Sequence, residues 1–389
     1  MGKRANGEGS VFKRADGKWA AEVSYRDELG SLRRRTVYGS TQAEARTKQR
    51  TLREAVRNGG GARPKPVTLA NWIETWIGGS LAASDRRQST IDLYSAVARK
   101  HLVPDLGQRR LDQIRPSDVE TLIVAKRKAG LAPSSVRTIY TVLRAALDVA
   151  VRDGLVPTNV AAVVRRPTIG RREAAFLSPA QARQLLDALH GERLEPVFRL
   201  LLATGLRRGE VLALHWADVD LERGVLRVRW TLTRTSTGLA LGEPKTEKSR
   251  RFVPLPTSAT ELLRRHKARQ AIERRAAGDA WVEQDFVFTT EIGTPLEPRN
   301  VLRRFDTITR RAGLPGVHLH TLRHSAASFL LAAGVHTKVV QEHLGHSSYA
   351  ITADIYSHVA PQQSREAADH LDRALDWSTP EDPTGPDQA

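Results

Sequence analysis

Residues 8–57 open with apolar and polar positions in alternation. Trp19, Ala21, Val23 and Tyr25 fall on one face of an extended chain, and Ala20, Glu22, Ser24 and Arg26 on the other. Asp16-Gly17 and Leu29-Gly30-Ser31 are turn signals that divide the stretch into three short strands, the third carrying Arg33, Arg34 and Arg35. At Thr41 the period changes. Thr-Gln-Ala-Glu is a capping-box pattern, and the helix it starts runs to the Asn-Gly-Gly-Gly break. A three-stranded sheet backed by one helix is expected.

Beyond a Gly/Pro-rich linker at 59–66 the pattern becomes helical from Thr68. Trp72, Ile73, Trp76 and Ile77 form one apolar stripe, which assigns the tryptophans to a core rather than to base stacking. A second helix follows Ser89-Thr90 to Leu102, Ser117-Asp118-Val119-Glu120 caps a third, and Ser134 to Arg152 is a fourth, closed by Asp153-Gly154. This helical part ends near Val164. After a second linker, Arg165 to Ala174, Ser178-Pro179 reads as an N-cap with proline in the first turn. The rest is mostly helical, with strand patterns at 225–230 and 251–255 and a hairpin expected around Lys245. The fold class is therefore multidomain and mainly α with small β elements. Its parts are a sheet-plus-helix domain at 1–60, a helical domain at 66–165 and a mixed α/β domain at 175–375. A proline-rich acidic tail at 376–389 is expected to be disordered.

The formal charge of +18 on 389 residues calls for a polyanionic partner. Nucleic acid comes first, because neutralised phosphates release counterions; an anionic membrane surface is the competitor. Sixteen Lys/Arg against seven Asp/Glu lie within residues 1–65, so the excess is concentrated at the N-terminus. Arg33, Arg34 and Arg35 are the candidate DNA contacts there, since a sheet ribbon fits the major groove; the plainer reading is a solvated charged face. No run of eighteen apolar residues and no signal-peptide pattern is present, so a cytoplasmic, nucleoid-associated protein without membrane contact is expected. The absence of cysteine excludes thiol nucleophiles, disulfides and Cys-type zinc sites.

Candidate chemistry lies in the last domain. Thr204-Gly205-Leu206-Arg207-Arg208-Gly209-Glu210 places an arginine at the start of a helix. His320-Thr321-Leu322-Arg323-His324 puts His320 and Arg323 on one helical face, and Tyr356 stands ten residues after His346. A phosphodiester gains negative charge in its pentavalent transition state, and guanidinium pairs are a natural clamp for it. Tyrosine is a poor nucleophile at its ordinary pKa of roughly 10 and needs cations and a proton acceptor nearby. The leaving oxygen needs a proton donor, for which lysine or histidine serves; Lys245 and Lys248 are rivals three residues apart. Taken singly, Arg207 reads as a salt-bridged helix-start arginine and Tyr356 as a core or surface tyrosine, so the set carries the weight. His320 and His324 have zinc-compatible spacing, but no HExxH pattern occurs and no carboxylate lies between them, so no metal is expected. No P-loop appears, and no cofactor is expected.

The order and spacing of these motifs resemble the tyrosine recombinase, or phage integrase, family over the chain to about residue 375. The resemblance implies a site-specific recombinase of a phage or integrative element that cuts and rejoins DNA through a 3′-phosphotyrosyl intermediate. Arg207 and Arg323 would clamp the phosphate, Lys245 protonate the 5′ oxygen, His320 act as acid/base, His346 hydrogen-bond the phosphate and Tyr356 attack. It further implies a helical core-site-binding domain, an arm-site-binding N-terminal module, double-stranded attachment-site DNA as partner, and a tetramer on that DNA. A host bending factor or a directionality factor is a further partner it leaves room for. The alternatives are a catalytically silent DNA-binding regulator and a chromosome-dimer resolvase.

Overall fold

The computed structural model describes residues 10–26, 32–57, 67–170, 175–244 and 250–345. The chain divides into two compact units, Met1–Gly170 and Arg171–Ala389.

In the first unit, β1 (Val11–Lys13), β2 (Trp19–Arg26) and β3 (Leu32–Gly39) pair antiparallel in chain order, and α1 (Gln42–Arg57) packs on β2 and β3. Ala21, Val23 and Ala45 are buried between sheet and helix, but Ala20, of opposite parity, is buried as well. It sits in register between Phe12 and Tyr38, both large neighbours for a methyl group. The Thr41 hydroxyl accepts from the Glu44 N–H at 3.2 Å, while the Glu44 carboxylate reaches past the cap to the Ser40 N–H at 2.8 Å. Alternation also divides the basic triplet. Arg34 is exposed, cross-strand from Ser24, with its guanidinium 3.6 Å from Glu22; Arg35 lies on the other face, cross-strand from buried Val23. The Arg33 side chain lies outside the described residues.

The helical remainder of this unit has its own core. It comprises α2 (Leu69–Trp76), running on through Ile77–Leu81; α3 (Gln88–Val97), running on through Ala98–Leu102; α4 (Val103–Leu106); α5 (Pro116–Lys128); and α6 (Pro133–Arg152). Trp72, Ile73 and Trp76 are buried as the stripe requires, and the Trp72 indole N–H donates to the Ala146 carbonyl at 2.9 Å. One cap differs from expectation. Proline occupies the first turn of α5, so the helix starts at Pro116, and Asp118 accepts from the Arg115 N–H at 2.9 Å.

The second unit begins with α7 (Pro179–Ala188), whose Ser178 cap and Gln181 bond reciprocally at 3.2 and 2.9 Å. Then come α8 (Glu195–Thr204), α9 (Arg208–Leu212), β4 (Val219–Asp220), β5 (Val225–Val228), β6 (Thr231–Thr235), β7 (Gly238–Gly242), β8 (Arg251–Pro254), α10 (Thr257–Ala277), α11 (Pro298–Arg311), α12 (Leu319–Ala332) and α13 (Thr337–Leu344). Phe198, Leu201, Leu226, Val253, Phe305 and Leu322 belong to one continuous core that joins the helices to the sheet β4-β5-β8. The hairpin expected around Lys245 is corrected. The two-stranded ribbon is β6-β7, upstream of it, and the strands flanking Lys245, β7 and β8, belong to different sheets. Hydrogen bonding explains the change, since β8 completes the edge of β5 and leaves β7 to β6. The tail at 376–389 lies outside the described residues, and no described helix is long and apolar enough to cross a membrane.

A buried polar network braces α10. Gln270 accepts from the Trp216 indole at 2.7 Å and donates to the Phe286 carbonyl and the Thr289 hydroxyl. His266, 7% exposed, meets the Val287 carbonyl through Nε2 at 2.7 Å and Arg269 through Nδ1 at 3.1 Å. Arginine can only donate, so Nδ1 is the acceptor and Nε2 carries the proton. Burial, opposed by the Val287 bond and aided by Arg269, pushes this imidazole down to about 4 from 6.5. Between those values the unfolded chain binds a proton that the folded chain refuses, so acid erodes stability across that window. The His266 ring proton resonances should keep their neutral shifts at about pH 5, and unfolding free energy should fall from pH 6.5 toward 4. A titration midpoint near 6.5 for His266 would contradict this.

Candidate active site

α8 ends at Thr204, and Gly205 turns the chain in the left-handed region at φ 63°. A β-carbon there would stand 2.4 Å from the Leu344 side chain, so glycine is needed for space as well as for conformation. The turn makes Arg207 the cap of α9 rather than its first helical residue. Glu210, one turn on and 4% exposed, fixes Arg207 twice. One carboxylate oxygen accepts from the Arg207 N–H at 3.0 Å and the other from its Nη1 at 2.7 Å. Arg251, the first residue of β8, reaches the first of these oxygens with Nη2 at 3.2 Å.

The last turn of α13 draws the cluster together. Arg251 Nε donates to the His343 carbonyl at 2.6 Å, Arg323 Nη2 to the Leu344 carbonyl at 2.7 Å, and Arg207 Nη2 to the Gly345 carbonyl at 3.0 Å. Arg323, on α12 and 2% exposed, also donates through Nη1 to the Gly205 carbonyl at 2.6 Å. The final carbonyls of a helix have no intrahelical partner and carry the negative end of its dipole, so three consecutive ones form a fixed acceptor set for cations. Gly345 closes the helix at φ 67°, and a β-carbon there would lie 2.9 Å from Arg251 Nη1.

The charges do not balance locally. Among the described residues, three guanidiniums gather around this turn with one carboxylate, which pairs with Arg207 and Arg251. Burial, followed by Arg207 and, beyond the opposing pull of Glu210, Arg251, presses the Arg323 guanidinium down to about 9. Burial disfavours the Glu210 carboxylate, but Arg251 and Arg207 outweigh it and hold the group below the usual carboxylate range. His320 retains an exposed edge; desolvation, then His324, Arg323 and Arg207, pushes its imidazole down to about 4, so it stands neutral at pH 7 as a proton acceptor. The His320 and His324 rings meet edge to face at 4.5 Å. His343 meets the Thr204 carbonyl through Nε2 at 3.1 Å.

Of the residues picked from the sequence, Arg207, Arg323 and His320 come together here, with Arg323 turned inward and His320 outward. Lys245, its rival Lys248, His346 and Tyr356 lie outside the described residues. Sequence reasoning missed Glu210, Arg251 and His343. Only Glu210 had a signal, an acidic residue three positions after a helix start. Among the described residues no group of three His, Cys, Asp or Glu could hold a metal. A cavity of about 900 Å³ between α7, α8, α10 and α12, lined by Leu186, Leu202, Leu262 and Phe329 with Arg199 and Arg265, includes none of the site residues.

Residues 175–363 match the family described as the phage integrase family. The chain is 31% identical over 372 residues to a tyrosine recombinase XerC-like protein of Caldanaerobacter subterraneus subsp. tengcongensis, covering 89% of this chain and 93% of the relative. It is 30% identical over 371 residues to an integrase of Streptomyces ambofaciens, covering 91% and 93%. Among solved structures, the Tn1549 transposon integrase in complex with a circular intermediate DNA shares the fold at TM-score 0.66 and 22% identity, over 78% of this chain and 99% of that one. A lambda integrase tetramer bound to a Holliday junction does so at TM-score 0.58 and 20% identity, over 91% and 96%. With a family match over the arginine cluster and relatives aligned nearly end to end, the chain belongs to the phage integrase family of tyrosine recombinases, the site-specific recombinases of mobile elements.

Proposed function

We propose that this recombinase cuts and rejoins duplex attachment-site DNA through a covalent link at Tyr356. The observation that carries this reading is the excess of positive charge at the α13 turn, where, among the described residues, Arg207 and Arg251 pair with the carboxylate of Glu210 and Arg323 is held by main-chain carbonyls alone. A scissile phosphate supplies the missing anion, and the still greater charge of its pentavalent state is favoured further. Arg207 and Arg323 clamp the non-bridging oxygens. The Tyr356 hydroxyl attacks phosphorus, its proton passes to neutral His320, and the P–O5′ bond breaks as Lys245 protonates the leaving oxygen, with Lys248 the rival donor. His346 hydrogen-bonds the phosphate. The 3′-phosphotyrosyl ester conserves the bond energy, so the free 5′ hydroxyl of a partner strand reverses the step without a nucleotide or metal cofactor.

Residues 66–165 serve as the core-site-binding domain, 175–375 as the catalytic domain, and 1–60 as an arm-site reader. The extra N-terminal module and its concentrated charge favour an integrase over a chromosome-dimer resolvase. Exchange of four strands requires four active sites, so the working form is a tetramer on DNA, acting on the nucleoid in the cytoplasm. The lambda integrase tetramer on a Holliday junction supports this assembly by its shared fold.

On a nicked suicide duplex the wild-type protein should form an adduct that survives a denaturing gel. Tyr356→Phe should bind DNA yet form none, and adduct at the wild-type level in that variant ends the assignment. Arg207→Ala and Arg323→Ala should each slow adduct formation by roughly 100- to 1,000-fold, the effect of one lost oxyanion donor. For the N-terminal sheet, the register distinguishes neighbours in sequence. Arg34→Ala should lower the slope of log affinity against log salt on arm DNA by about one, and Arg35→Ala by less. Equal losses from both would show that both faces of the sheet meet DNA.

A further inference from the structure

Arg251 belongs to none of the motifs that mark the site, yet it is the residue that joins them. Its side chain is 7% exposed, and among the described residues its fork is engaged with a carboxylate and with a main-chain carbonyl. Nη2 lies 3.2 Å from the Glu210 oxygen that also accepts from the Arg207 N–H, and Nε lies 2.6 Å from the His343 carbonyl. Glu210 in turn holds Arg207 Nη1 at 2.7 Å. Three elements distant in the chain, α9, β8 and the end of α13, thus meet on one guanidinium. Without it, Glu210 would be a buried carboxylate held by Arg207 alone, and Arg207 would neutralise it instead of facing outward.

We infer that Arg251 is a positioning residue for strand cleavage. It neutralises Glu210 from behind and fixes the α13 turn, so that Arg207 keeps both its place and its surplus charge for the scissile phosphate. The inference rests on the reading of Arg207 as a phosphate clamp. An arginine at this position is not interchangeable with lysine, because an ammonium cannot present two fixed N–H directions to a carboxylate and a carbonyl at once. Its action is indirect, so it governs the rate on bound DNA and not the binding of DNA.

The test uses the full-length protein and single-turnover adduct formation on the nicked suicide duplex. Arg251→Ala should lower the rate at saturating DNA by about 100-fold, the cost of misplacing a catalytic group by roughly 1 Å, with the half-saturating DNA concentration unchanged. Arg251→Lys should recover only part of the rate. Adding Arg251→Ala to Glu210→Gln should cost much less than adding it to the wild type, because both changes act through Arg207. Wild-type rates in folded Arg251→Ala overturn the inference. So do losses that multiply in the double variant, or a loss confined to DNA affinity. If Arg251→Ala fails to fold, Arg251→Lys decides: a folded lysine variant with the wild-type rate overturns the proposal, and a slowed one with unaltered affinity supports it. No adduct from the wild-type protein would instead count against the clamp reading itself.

Discussion

Like charges cannot be gathered in a protein interior without fixed acceptors to hold them, and here the acceptors are the last carbonyls of one short helix. His343, Leu344 and Gly345 each receive a different arginine. This converts three mutually repelling cations into an array whose positions are set before any substrate arrives. Preorganisation of this kind is where electrostatic catalysis gains its advantage, since water would have to reorganise to do the same. The rest of the second unit follows from the need to bring α9, α12 and β8 to that turn. Gly205 lets α8 approach Leu344 closely, and the continuous core from Phe198 to Leu322 holds the elements in register.

Glu210 has an unusual duty in this arrangement. A carboxylate among three guanidiniums is stable enough, but it also threatens to quench the site. Engagement from both sides divides its charge between Arg207 and Arg251, and burial strengthens both attractions. The neutral imidazole of His320 fits the same logic. A third diffuse positive charge beside Arg207 and Arg323 would be costly, and desolvation, with His324 and those two arginines, disfavours the proton.

Much of the fold was legible because local signals govern it. The apolar stripe of Trp72, Ile73 and Trp76, the Ser178–Gln181 box and the alternation of β2 each follow from a helical or strand period. The arginines and His320 were legible because their motifs are contiguous. What escaped was set by contacts far apart in sequence. Nothing near Arg251 announces that it meets Glu210 forty-one residues earlier and His343 ninety-two residues later. The pairing of β8 with β5 instead of β7 is likewise a matter of which edge is open, and it moved the hairpin away from Lys245. In the N-terminal sheet the composition of Arg33, Arg34 and Arg35 suggested one basic surface, whereas alternation sends neighbours to opposite faces.

The grip of α13 has a genetic side. Its three acceptors are main-chain oxygens, which no substitution at 343 or 344 can delete, so side chains there act on the arginine array only through the path of the backbone, which buried Leu344 and the His343–Thr204 bond help to set. The burden falls instead on backbone path, and hence on Gly345, whose left-handed φ of 67° and proximity to Arg251 leave little room for another residue. A lineage carrying this architecture is thus constrained at the turn more by geometry than by chemical identity, and most tightly at one glycine.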